Sequence, residues 1–224
     1  MIQHHPDSTL LAEYAAGSMS VGQSMGIAVH LHFCEQCRAQ VRALNQLGGA
    51  MLDTQTPPAT VEANALDKIF NRIDGEAPPP VSKPAPAAST SPRLKKTMPP
   101  LVAKLIGNPA ELKWQRLSPS MKMTNLATGQ SRCQVSLIKI AAGGRVLEHD
   151  HNGNEFTIVL KGAFSDHHGV YQAGDFLHNQ PGEVHTPSAT ADTDCLCFTV
   201  LDAPLKFTGL LGRLINPFVR LSPS

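Results

Sequence analysis

Val29-His30-Leu31-His32-Phe33-Cys34-Glu35-Gln36-Cys37-Arg38 holds one imidazole and two thiols at helical spacing. Read as helix, His30, Cys34 and Cys37 fall at i, i+4 and i+7 and stack on one face. Zinc takes four nitrogen or sulfur donors in a tetrahedron, and a structural site draws all four from protein. A fourth donor is therefore expected from elsewhere, and the chain offers His4-His5 just before Pro6. His32 falls near the opposite side of the same helix and is a poor ligand by geometry.

Helical signals surround this stretch. Asp7 can cap a short helix through Leu10, Leu11, Tyr14 and Ala15 that Gly17 stops. Ser20 or a neighbour opens a longer segment through Met25, Val29, Phe33, Val41 and Leu44, with a break expected around the cysteines and an end at Gly48-Gly49. Beyond Pro57-Pro58, Thr60 can cap a helix carrying Val61, Leu66, Ile69, Phe70 and Ile73, with an exit at Gly75. So few short helices make a marginal core, which is where a structural metal adds most.

At 224 residues with 42% hydrophobic content the chain suits two domains, and a net charge of +1 without a dense Lys/Arg block leaves no electrostatic footprint for nucleic acid. A protein partner is expected instead. The first residues lack the cationic and apolar regions of a signal peptide, and no run reaches the length of a membrane helix, so the reading is a cytoplasmic protein without membrane contact. Five cysteines with a CxxC beside a histidine favour metal over disulfide in that compartment.

Residues 77–100 hold eight of the 18 prolines with Ala, Ser, Thr and Lys, and read as a linker that leaves residues 1–76 and 101–224 free to move independently. After it the pattern turns strand-like: 112–117, 121–126, 133–140, 156–160, 175–178 and 194–201 are short apolar runs between glycine and proline turns. Many short strands at this spacing predict a barrel or jelly roll. Phe207, Leu210, Leu211, Leu214, Ile215 and Phe218 repeat at helical spacing and predict a C-terminal helix.

The barrel half carries a second constellation. Gly143-x5-His149-x-His151-x3-Glu155-x6-Gly162 is followed by Gly174-x7-Gly182-x2-His185. On a strand, His149 and His151 point to one side, Glu155 returns on the next strand, and His185 arrives from a distant one. Three imidazoles and a carboxylate around a divalent metal leave room for water or substrate, and the set alone allows zinc, iron, manganese, nickel or copper.

These two stretches resemble the paired cupin motifs, with Pro181 one position late and Ala189 where the family often has Asn; neither departure falls on a ligand. The N-terminal segment, from His4-His5 through Tyr14-Ala15-Ala16-Gly17 to Cys37-Arg38, resembles the zinc-binding anti-sigma domain. Domain order, linker and Asp202-Ala203-Pro204-Leu205-Lys206-Phe207 together resemble the ChrR family of anti-sigma factors over nearly the whole chain.

The resemblance implies a small all-α zinc-binding domain (1–76), a Pro/Ala-rich linker (77–100), and an all-β cupin barrel with a C-terminal helix (101–224). It implies an inhibitor that sequesters an extracytoplasmic-function sigma factor and releases it on an oxidative signal such as singlet oxygen. The helical domain would bind sigma and the cupin domain would sense. Carried over residue by residue, His5, His30, Cys34 and Cys37 would hold one zinc, and His149, His151, Glu155 and His185 a second divalent metal, expected to be zinc.

Two other functions compete: a metal-dependent cupin enzyme of dioxygenase type with a zinc module attached, and a zinc-stabilised scaffold. An enzyme needs an acid, base or substrate-orienting group beside the metal, and the sequence names none near the quartet. A scaffold has no need of a mobile barrel with a complete ligand set. Cys195 and Cys197 share a strand face and read, like Cys133, as buried small apolar residues, while His167, His168 and His178 read as surface histidines.

Overall fold

The computed structural model describes residues 2–55, 62–75, 98–129 and 132–208. The expectations for Thr60, Val61, most of the linker and the apolar repeat at 210–218 lie outside them. Helix α1 (Ser8–Ala16) is capped by the Asp7 carboxylate, which accepts from the Leu10 amide, and ends at Gly17 in the left-handed region at φ 69°. Ser20 caps α2 (Val21–Phe33). The chain leaves helical geometry at Cys34 (φ −102°, ψ 110°), whose sulfur accepts from the Cys37 amide and so caps α3 (Glu35–Asp53). The stop anticipated at Gly48-Gly49 does not occur: both glycines stay in helical conformation, with open space around them, and α3 runs on to Asp53. Helix α4 (Ala65–Gly75) follows with no buried residue.

A helix the strand-like reading missed, α5 (Pro100–Ile106), precedes the barrel and buries Val102 completely. Proline at its first position suits a helix start. The strands are β1 (Gln115–Ser118), β2 (Met121–Asn125), β3 (Gln134–Ile140), β4 (His149–His151), β5 (Glu155–Lys161), β6 (Ala163–Ser165), β7 (Val170–Gln172), β8 (Phe176–Asn179), β9 (Ser188–Ala189), β10 (Cys195–Leu201) and β11 (Leu205–Phe207). All pairings are antiparallel, in a six-stranded sheet of order β1-β2-β3-β10-β5-β8, a β7-β6-β9 sheet and a β11-β4 pair. Phe207, expected in a helix, instead pairs with His149 in the β11-β4 ribbon. The chain is thus an all-α segment followed by a cupin-type β domain.

The centre of the six-stranded sheet, β3, β10 and β5, is buried on both faces, while the edge strand β1 is largely exposed. On β5, Val159 faces inward to a cluster with Ile140, Phe164, Tyr171, Leu177 and Cys197, while Phe156, Ile158 and Leu160 join a second cluster with Leu11, Ile27 and Val29 of the helices. On β10, Cys195 and Cys197 face inward and Phe198 and Val200 face the helices. Helix α2 lies across β5 and β10, and α5 packs against α2. Full burial of each large apolar side chain contributes about 1.5–3 kcal/mol, and Ile27, Val29, Phe156, Ile158 and Phe198 are all at most 1% exposed. The expected independence of the two halves therefore gives way to a shared core. Two glycines one turn apart permit the approach. A Cβ on Gly26 would meet the Phe156 ring at 3.3 Å, and one on Gly22 would overlap the Cys133 sulfur.

Gly22→Val is expected to destabilise the full chain by about 1–3 kcal/mol through overpacking, and Cys133→Ala on that background to recover part of the loss. Thermal unfolding measures both; an unchanged midpoint for Gly22→Val would contradict the close helix–sheet contact.

Candidate metal centres

The first cluster forms where the extended N-terminus crosses the α2–α3 break. His5 Nδ1 lies 3.4 Å from both Cys34 Sγ and Cys37 Sγ, and His30 Nε2 lies 3.3 Å from Cys37 Sγ. The nitrogen–sulfur edge of a tetrahedral zinc site is about 3.5 Å for Zn–N near 2.05 Å and Zn–S near 2.3 Å. The break at Cys34 is what turns its thiol toward Cys37, so the cluster depends on the interruption rather than on an unbroken helix. His30 and both cysteines are buried, His5 is half-buried, and His32 is exposed and away from the cluster. Burial and the neighbouring Cys34 push the Cys37 thiol up to about 12. A divalent cation at the centre would offset that by favouring the thiolate.

The barrel supplies much of what stands behind these side chains. The His30 Nδ1–H donates to the Gly174 carbonyl at 2.8 Å, which fixes the ring and leaves Nε2 free toward the thiols. The buried Asp175 carboxylate accepts from the amides of Gln3 (2.8 Å), His4 (3.1 Å) and Gln172 (2.8 Å), and the Phe176 amide donates to the His4 carbonyl at 3.0 Å. Neither Gly174 nor Asp175 carries a signal that sequence reasoning could have linked to partners 144 and 172 positions earlier.

The second cluster lies inside the barrel. His149 and His151 sit two apart on β4, Glu155 opens β5, and His185 meets His149 in an isolated bridge. His185 Nε2 is 2.9 Å from His149 Nε2 and 3.2 Å from His151 Nε2, and His151 Nε2 is 3.5 Å from Glu155 Oε2. Imidazole nitrogens this close need a cation or protons between them. Burial opposes protons: it lowers His151 and, with His149 adding to the effect, holds His185 at about 4. The His149 Nδ1–H donates to the Leu147 carbonyl at 2.7 Å, so its lone pair is on Nε2. The donor set fits a divalent metal held by three Nε2 atoms and one carboxylate. Within each of the two groups all four candidate ligand atoms lie within 4.8 Å of one another.

Three further residues shape the barrel centre without having been singled out from the sequence. Asn179 Nδ2 donates to Glu155 Oε2 at 2.9 Å, Asp166 Oδ2 faces His185 Nδ1 at 3.5 Å, and Thr199 Oγ1 is buried without a hydrogen-bond partner among the described residues, beside a cavity of about 60 Å³. Ile138, Ile140, Phe164, Thr157 and Cys197 line the same cavity. Cys195 and Cys197 are buried with their sulfurs 3.6 Å apart, and that contact and burial raise the Cys197 thiol. His167 and His168 are exposed, but His178, expected at the surface, is half-buried, with Nε2 2.9 Å from Asn154 Oδ1 and burial lowering its pKa.

Comparison with known proteins agrees with this layout. Residues 102–204 match the family described as the ChrR cupin-like domain. The chain is 34% identical over 221 residues to the anti-sigma-E factor ChrR of Cereibacter sphaeroides, covering 98% of this chain and 99% of that protein. It superposes on a chain of the crystal structure of Rhodobacter sphaeroides SigE in complex with the anti-sigma ChrR with a TM-score of 0.73 and 30% identity, covering 90% of this chain and all of that one.

Purified chain is expected to carry two divalent ions, falling to one in Cys37→Ser and to one in His185→Ala; elemental analysis checks the counts. Loss of the ion at Cys37 removes a stabilisation of about 10 kcal/mol or more in small zinc modules, so α1–α3 should loosen. Acid should act in the same direction. His30 and His185, held at about 4 against an ordinary 6.5, prefer the neutral form when folded, so their contribution is intact above pH 6.5 and is lost as pH falls from 6.5 toward 4. A thermal midpoint that is flat across that window would contradict their burial as neutral rings.

Proposed function

The chain belongs to the ChrR family, and from that premise we propose that it is an anti-sigma factor that sequesters an extracytoplasmic-function sigma factor in the cytoplasm and releases it on an oxidative signal such as singlet oxygen. The observation that carries the reading is the match to an anti-sigma factor across 98% of this chain. In this reading His5, His30, Cys34 and Cys37 hold a structural zinc, whose preference for thiolate and imidazole suits that donor set. His149, His151, Glu155 and His185 would hold a second divalent ion, zinc in the first instance, and would place its Lewis acidity beside the cavity.

The surface offered to sigma is α4 together with the end of α3. Leu66, Ile69, Phe70 and Ile73 of α4 are 54–65% exposed, and Met51 and Leu52 are similarly bare. They recur at helical spacing, an apolar stripe of the kind that marks a partner surface. Among the described residues no helix is long and apolar enough to cross a membrane, so a bilayer-spanning role does not account for this face.

Co-expression of the full chain with candidate sigma factors, followed by copurification, tests the reading. One sigma should copurify, and Phe70→Asp should weaken its capture at least about tenfold while leaving metal content unchanged. Failure to capture any sigma by a folded, two-metal protein would overturn the assignment.

A further inference from the structure

The two ligand clusters are linked by a chain of three side chains, of which Asp166 and Tyr171 are buried and His4 is half-buried. Asp166 follows β6 with its carboxylate 1% exposed; Oδ2 faces the Nδ1 of His185, and Oδ1 accepts from the Tyr171 hydroxyl at 3.1 Å and the His168 amide at 2.8 Å. Tyr171, on β7 and 5% exposed, tilts its ring against His4 with centroids 4.6 Å apart. His4 immediately precedes His5 and is pinned by backbone hydrogen bonds to Asp175 and Phe176. The turn between β7 and β8 also provides the Gly174 carbonyl that orients His30. His30 directly, and His5 through its chain neighbour His4, are therefore held by residues 171–176, and that segment is tied to the barrel cluster through Asp166.

We propose that Asp166 and Tyr171 are positioning residues that couple the two centres, so that a change at His185 loosens His5 and His30. A buried carboxylate behind a ligand histidine holds the ring angle and raises the basicity of the coordinating nitrogen. When His185 is displaced or altered, the Asp166 carboxylate loses one of its three partners in a low-dielectric site and re-forms its contacts with Tyr171. The Tyr171 ring shifts against His4, and the segment carrying His5 moves with it. Burial, with Asp166 adding to it, raises the Tyr171 hydroxyl well above its ordinary value, so it remains a donor to Asp166 at all working pH values. The coupling rests on reading both clusters as metal centres, and it does not depend on the identity of the partner.

The test uses the full chain with Co²⁺ in both centres and no sigma factor. The thiolate-to-cobalt absorption band reports the Cys34/Cys37 centre alone, because no thiolate belongs to the barrel set, and its decay in excess EDTA gives the release rate. His185→Ala is expected to speed that decay about tenfold, within the range for losing groups behind ligands. Tyr171→Phe keeps the ring and removes the hydroxyl; on that background His185→Ala should add less than twofold. Asp166→Asn, which still accepts from Tyr171 but opposes His185 Nδ1 with a donor amide, should speed the decay by itself. Equal acceleration by His185→Ala with and without the Tyr171 hydroxyl, or no acceleration in either, overturns the coupling. If His185→Ala fails to fold, Asp166→Asn decides alone: a decay at the parent rate overturns it. Capture of sigma is scored separately, so a protein that binds none can still show or fail the coupling.

Discussion

A sheet whose central strands have no solvent face is the constraint from which the rest of this structure follows. β5 and β10 present Val159, Cys195 and Cys197 to the barrel interior and Phe156, Ile158, Phe198 and Val200 to α2. An antiparallel sheet with one wet face alternates polar and apolar residues; one covered on both sides reads as an unbroken apolar run. Ile158-Val159-Leu160 of β5 is such a run, and all three residues are buried. Without the helices its outer face would be bare, and without the sheet Ile27 and Val29 would have nothing to cover them. The glycines at 22 and 26 bring the helix in close, at a local cost in helix stability of roughly 1 kcal/mol each.

The centre near the N-terminus inherits its geometry from that contact. A structural zinc site in a small helical module usually finds its supporting hydrogen bonds within the module. Here His30 is oriented by the Gly174 carbonyl and the His5 segment is anchored by Asp175 and Phe176, all from the barrel. The helical and barrel halves are thus in mechanical contact. A perturbation inside the barrel has a short route to the residues that shape the helical unit, while α4 has no residue buried among the described parts of the chain.

Much of this was legible from residue types and spacing. Asp7, Gly17 and Ser20 carry local chemistry that acts the same way in any context, and the strand period places His149 and His151 on one side, whereas Cys34 meets Cys37 through the break between α2 and α3. What escaped was non-local. α5 was hidden because Leu101-Val102 following two prolines reads as readily as a strand; Gly48-Gly49 failed to stop α3 because the glycines stay helical there; Phe207 was read into the apolar repeat that follows it, yet pairs with His149. Gly174, Asp166 and Tyr171 act through a carbonyl, a carboxylate and a ring whose partners lie far away in the chain. The proline-rich composition of 77–100 argued for independent halves, but a linker's composition says nothing about whether the surfaces on either side of it match.

Native-state hydrogen exchange on the full chain tests the shared sheet most directly. If α2 and the sheet form one core, the central amides of α2 at 26–30 will open with the same free energy as those of β5 and β10, and all will fall together in Gly22→Val. Exchange of the α2 amides at a much lower free energy, untouched by substitutions at Phe156 or Phe198, would show two units that merely lie side by side and would contradict the account.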